Sequence, residues 1–210
     1  MINLAQLNQI LAALGAAYPN AKTELHFGSP YELLIATMLS AQTTDRQVNQ
    51  VTPVLFSHFP TPEALATADP RYVAELIKGV GLHNTKARHL VATAKILLER
   101  FQCQVPQTLA ELLTLPGVGR KTAKVVLANA FGKPALAVDT HVFRVSRRLG
   151  LAGGNTPEQV EKELEDTIPS HEWIATHHRL IQHGRRVCKA RNPLCDQCSL
   201  SDKCPSATQV

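Results

Sequence analysis

Apolar and polar residues show no sustained alternation of period two anywhere in this chain. Apolar positions recur instead at steps of three and four, in segments of about 10–16 residues set off by proline and glycine. Such a pattern builds helices rather than sheets, and breakers this close together make many short helices. Leu4, Leu7, Leu11 and Leu14 mark a first amphipathic helix. Pro30 opens a second over 31–41, where Leu33, Leu34, Ile35, Met38 and Leu39 leave almost no polar face, so it belongs in an interior. Further helices are expected over 45–58, 62–67, 70–77, 84–101, 107–113, 120–131, 141–149, 157–167 and 172–186. The fold class is all-α.

With 44% apolar and 19% charged residues, the chain is not a disordered one. Lys and Arg number 22 against 17 Asp and Glu, a net charge of +5 that favours a polyanionic partner. The excess is concentrated. Between Glu111 and Glu158 stand Arg120, Lys121, Lys124, Lys133, Arg144, Arg147 and Arg148, with Asp139 as the lone acid. The acidic run 157–168 reads as a solvated face turned away from such a partner. Residues 1–21 carry no charge but lack the basic start of a signal peptide, and Asn3, Gln6, Asn8 and Gln9 interrupt them. No other stretch approaches a membrane span, so a cytosolic protein is expected.

Four constellations carry chemistry. In Leu115-Pro-Gly-Val-Gly-Arg-Lys-Thr-Ala123, Gly117 and Gly119 permit positive φ and close approach of another chain. The next helix then offers phosphate its unpaired N–H groups and positive dipole end. This is no nucleotide-triphosphate loop, since the Gly-x-x-x-x-Gly-Lys-Ser/Thr spacing is missing. Lys121, in the first turn beside Arg120 and Lys124, sits in a field favouring the neutral, nucleophilic amine; a plain phosphate contact is the other reading. Ile77–Ala87 echoes this segment, and Leu82 follows its Gly-x-Gly tip as either a packed leucine or a wedge between bases.

Asp139 ends an apolar run and starts a helix on which Arg144, Arg147 and Arg148 form one basic stripe. It suits an N-cap, yet a carboxylate isolated among bases also suits a catalytic or orienting task, and the two are compatible. His141 beside it is a secondary candidate. Cys188, Cys195, Cys198 and Cys204 lie within 17 residues, a metal-ligand pattern. One Cys-x-x-Cys pair with outlying single cysteines favours an iron–sulfur cluster over structural zinc. Lys189 and Arg191 inside that loop can face phosphate, while Cys103 reads as an ordinary thiol. Ser40-Ala-Gln-Thr-Thr-Asp45 ends the buried helix in polar residues, with Asp45 the expected cap of the next helix and Gln42 left over.

Taken together and in order, these motifs resemble the helix-hairpin-helix DNA glycosylases, specifically the endonuclease III family, over nearly the whole chain. The resemblance implies two helical lobes with a cleft between them: a six-helix lobe with the helix-hairpin-helix over 22–132, and an iron–sulfur lobe of 1–21 joined to 133–210. It implies a [4Fe–4S] cluster on the four cysteines. It also implies a base excision repair enzyme, a bifunctional glycosylase that removes damaged pyrimidines and cuts the abasic strand by β-elimination. Lys121 is then the Schiff-base nucleophile, opposite Asp139 across the cleft. Gln42 fills the vacated space, Leu82 wedges, Gly117 and Gly119 hold phosphate, and Arg120, Arg144, Lys189 and Arg191 add DNA contacts. The expected partner is double-stranded DNA with damaged bases or abasic sites, met by a monomer in the cytoplasm, at a bacterial nucleoid, without membrane attachment. Two alternatives remain. An adenine-type monofunctional glycosylase of the same superfamily is disfavoured by Lys121 and by the end at Val210. A non-catalytic helix-hairpin-helix module with zinc has no need of Asp139.

Overall fold

The computed structural model describes residues 2–207, and among them all regular structure is helical. In chain order the helices are α1 (Leu4–Ala17), α2 (Pro30–Leu39), α3 (Asp45–His58), α4 (Pro62–Ala66), α5 (Pro70–Leu76), α6 (His83–Phe101), α7 (Leu109–Leu112), α8 (Arg120–Phe131), α9 (Thr140–Arg148), α10 (Pro157–Thr167) and α11 (Trp173–Arg186). Short 3-10 turns follow at Cys195–Gln197 and Ser201–Lys203 in the cysteine loop. No helix among the described residues is long and apolar enough to cross a membrane.

Most helix starts are encoded locally. Asn3, Ser29, Thr44, Thr61, Asp69, Thr108, Asp139 and Thr156 each accept a first-turn backbone N–H, and Pro30, Pro62, Pro70 and Pro157 follow their caps directly. Thr44, not the expected Asp45, caps α3. Its hydroxyl accepts from Gln47 N at 3.3 Å, and the Gln47 side chain returns to Thr44 N, a reciprocal box that Asp45 cannot make from inside the helix. Helices α6 and α8, the two that follow Gly-x-Gly turns, start without any side-chain cap.

The chain divides into two compact units, Glu24–Lys133 and a second that joins Met1–Thr23 to Pro134–Val210. The expected boundaries differ by one or two residues; Met1 and residues 208–210 lie outside the described residues. In the first unit α2 is surrounded by α3, α6 and α8, while α4 and α5 pack on α6. Leu33, Leu34, Ile35 and Leu39 are fully enclosed there, and truncating any one of them costs roughly 2–5 kcal/mol. In the second unit α1 and α9 pack on α11, and α10 packs on α9. Leu7, Ile10 and Leu14 share its core with Val142, Val145, Val160, Leu164 and Leu180, and Cys188, Cys198 and Cys204 lie against that core.

Candidate active site and metal centre

In the first unit, the turn between α7 and α8 is fixed from α6. Thr93 Oγ1 donates to Pro116 O at 2.9 Å, and the His89 ring lies where a Cβ on Gly117 would come within 2.7 Å of Nδ1. Gly117 has φ +77°, so both its conformation and this contact require glycine. Gly119 differs from the expectation: its φ is −90°, outside the left-handed region, and a Cβ there meets nothing within 4 Å. Its lack of a side chain leaves space in front of the uncapped first turn of α8. Arg120 and Lys121 are exposed in that turn, whereas Lys124 is buried. Gln42 and Leu82 are both exposed and both left-handed, at φ 57° and 58°.

In the second unit, buried Ala135–Val138 leads into Asp139. His177, itself enclosed on α11, donates Nδ1–H to Ala137 O at 2.8 Å and fixes that lead-in. The half-buried Asp139 carboxylate caps α9 through one oxygen alone: Oδ1 accepts from His141 N at 2.9 Å and Val142 N at 2.7 Å. Among the described residues Oδ2 accepts nothing, so capping orients the carboxylate and leaves an oxygen for chemistry. Burial above all, with help from Arg144 and Arg185 and against the pull of Asp139, holds the His141 imidazole below its ordinary range.

The basic stripe of α9 is employed differently from the sequence expectation. Arg144 donates from Nε and Nη2 to Cys188 O, at 3.1 and 3.0 Å, and from Nη2 to Gly184 O at 3.0 Å. Arg148 donates to Lys189 O at 2.7 Å and Ala190 O at 3.2 Å, and reaches Cys188 Sγ at 3.5 Å. Arg147 bonds Asn155 Oδ1 and lies over the Phe143 ring. The guanidinium of Arg144, expected to contact DNA, therefore secures the start of the cysteine loop. The helices meet closely at Gly184, where a Cβ would come within 3.1 Å of both Arg144 Nη2 and His141 Cβ. Lys189 and Arg191 are exposed on the loop.

Cys188, Cys195, Cys198 and Cys204 line one small cavity, with Leu149, His183, Val187 and Leu194 among its walls. None of the four is paired in a disulfide. Burial and the neighbouring sulfurs push Cys198 and Cys204 up, and Leu200 N–H donates to Cys198 Sγ at 3.4 Å. Among the described residues no three side chains converge on a single ion, whereas four sulfurs surround this apolar space, the arrangement a multi-iron cluster needs. The donor set therefore fits a [4Fe–4S] group held by these cysteines. Cys103 stands elsewhere, its thiol pushed up to about 11 by desolvation and by Glu63.

Helical units with an uncapped glycine hairpin and a four-thiol loop define a class, and the comparisons agree on it. The description "HhH-GPD superfamily base excision DNA repair protein" matches residues 35–170, and "iron-sulfur binding domain of endonuclease III" matches 188–204. Endonuclease III of Synechocystis sp. (strain PCC 6803) is 48% identical, over 95% of this chain and 91% of that protein. Endonuclease III of Escherichia coli (strain K12) is 47% identical, over 100% and 99%. A solved structure of a trapped endonuclease III–DNA covalent intermediate superimposes with a TM-score of 0.94 at 42% identity, covering 99% of this chain and 98% of that one. The chain belongs to the endonuclease III family of the HhH-GPD superfamily, as a base excision repair glycosylase and abasic-site lyase with a [4Fe–4S] cluster.

Sequence reasoning missed His177 and the loop-holding work of Arg144 and Arg148. The adjacent pair His177-His178 on an amphipathic helix was the available signal for the first; the second left none, because its acceptors are backbone carbonyls 40 or more residues away.

Proposed function

We propose that Lys121 is the nucleophile of this enzyme and Asp139 its carboxylate partner, acting on duplex DNA that carries an oxidised or otherwise damaged pyrimidine. The observation that carries the reading is an exposed amine in an uncapped first helical turn, directly behind a hairpin with open space at Gly119. Phosphate accepts from backbone N–H groups of that uncapped turn, which sets the sugar's position. Lys121 Nζ attacks C1′, the bond from C1′ to the base breaks, and the base leaves with the electron pair. The Asp139 carboxylate offsets positive charge on the sugar as the base departs, and then receives the amine proton on Oδ2. Ring opening gives an imine at C1′, which acidifies the C2′ proton; its loss breaks the C3′–O bond and cuts the strand 3′ to the lesion.

Gln42 and Leu82 take up the space and stacking of the extruded base, and Arg120, Lys189 and Arg191 contact phosphate. Arg144 acts through the cysteine loop. When bound, the cluster supplies metal–sulfur cross-links to a loop with little regular structure of its own, and the chemistry at the sugar belongs to the side chains. The protein works as a monomer on bacterial cytoplasmic DNA. A labelled duplex with one oxidised pyrimidine tests the reading: free base and a 3′ unsaturated aldehyde end are expected. Base release with an intact abasic strand would remove the lyase step, and no base release at all would remove the glycosylase reading.

A further inference from the structure

Lys86 is unlike the other cations of α6. It is 7% exposed, and its ammonium donates to Leu39 O at 2.7 Å and Thr43 Oγ1 at 2.9 Å. Both partners are uncharged, and burial lowers the pKa of the amine. Burying an ammonium without a carboxylate is costly, so packing alone does not explain a lysine here.

The two partners and the backbone of Lys86 identify what it joins. Leu39 ends α2, and Thr43 lies in the segment that carries Gln42. The backbone N–H of Lys86 donates to Leu82 O at 3.0 Å, on the turn before α6. One residue is thus bonded through its side chain to the Gln42 segment and through its backbone to the Leu82 turn. The segments also touch directly, since a Cβ on Gly81 would lie 3.9 Å from both Gln42 O and Thr43 Oγ1. Gln42 and Leu82 each hold a left-handed conformation without being glycine, Leu82 with 62% of its surface exposed. Residues strained in this way persist only where their surroundings over-determine them.

We propose that Lys86 is a positioning residue that locks the Gln42 segment and the Leu82 turn into one rigid probe, so that both side chains enter the duplex together. The proposal rests on the reading that these two side chains replace the extruded base. Without the ammonium, the Gln42 segment loses its bond to α6 while Leu82 O still accepts from Lys86 N–H, so the two tips move independently. Extruding a stacked, paired base then suffers most. Cutting at a pre-formed abasic site, where no base needs replacing in the stack, suffers least.

The test uses full-length, cluster-loaded protein and a duplex with 2-aminopurine beside the lesion, whose fluorescence reports unstacking. Lys86→Met is expected to lower the fluorescence change and single-turnover base release by about tenfold. Incision of a pre-formed abasic site should change by less than about threefold, and Lys86→Arg should recover part of the loss. Thr43→Val, which removes one partner and keeps the lysine, should shift the same readouts in the same direction and serves if Lys86→Met does not fold. Equal loss of both activities, or no loss of either, overturns the proposal when Leu82→Ala and Gln42→Ala do reduce unstacking. If those two variants leave unstacking unchanged, the probe reading itself fails, and the role of Lys86 falls with it.

Discussion

The guanidinium of Arg144 grips the carbonyl oxygen of Cys188 with two nitrogens, at 3.1 and 3.0 Å. The helix whose first turn Asp139 caps is therefore fastened to the first cysteine of the iron–sulfur loop, and the fork also takes Gly184 O on α11. Arg144→Ala leaves these carbonyls without their donor. We expect a loss of roughly 2–4 kcal/mol in stability with faster bleaching of the cluster's visible absorption. Arg144→Lys should recover little, because one ammonium cannot reproduce the fork. Thermal melting and iron content check both points.

Asp139 caps α9 through Oδ1 alone, and substitutions can separate this capping from the catalytic task proposed for its other oxygen. Asparagine caps a helix about as well as aspartate, so Asp139→Asn should change stability by less than about 0.5 kcal/mol. Base release should fall by about 100-fold or more, with DNA binding equal or tighter once the negative charge is gone. Asp139→Ala should add a cap loss of about 1 kcal/mol. Melting curves and single-turnover rates measured on the same preparations distinguish the two tasks.

The two hairpin glycines should respond oppositely. Gly117→Ala forces a Cβ onto the His89 ring at φ +77° and should cost about 1–3 kcal/mol in stability. Gly119→Ala has open space and an ordinary φ, so the fold should tolerate it. Binding to a short duplex should nevertheless weaken if phosphate approaches the α8 amides as proposed, because the added methyl stands in that space. Melting temperature and duplex affinity at one fixed salt concentration are the measurements.

His178 is 6% exposed, and burial, then His177, depresses its pKa to about 3. The unfolded chain binds a proton near pH 6.5 that the folded chain refuses. The contribution of neutral His178 is therefore complete above about pH 6.5 and lost progressively as pH falls towards 3. Stability should decline by up to about 1.4 kcal/mol per pH unit from this group within that window. Between pH 7 and 5, denaturant midpoints of His178→Gln should fall less steeply than those of the parent.

Much of this was legible in advance, for physical reasons that differ by element. The interior position of α2 follows from Leu33, Leu34, Ile35 and Leu39 covering all its sides, and Pro30 announces its start because a proline in the first turn is a local signal. Thr44 and Asp45 are both good caps side by side, and only the reach of Gln47 decides between them. The spacing of Arg144, Arg147 and Arg148 correctly places them along one helix, but periodicity carries no information on what faces them. Lys86 is the same case: a lysine on an amphipathic helix reads as solvated, and its side-chain acceptors lie 47 and 43 residues away.

Reductive trapping with borohydride on an abasic duplex tests the central claim most directly. The parent protein should form one covalent adduct with DNA, its mass mapping to the peptide that contains Lys121, and Lys121→Ala should abolish it while still binding the duplex. An adduct that persists undiminished in Lys121→Ala, attached through another amine, would contradict the account.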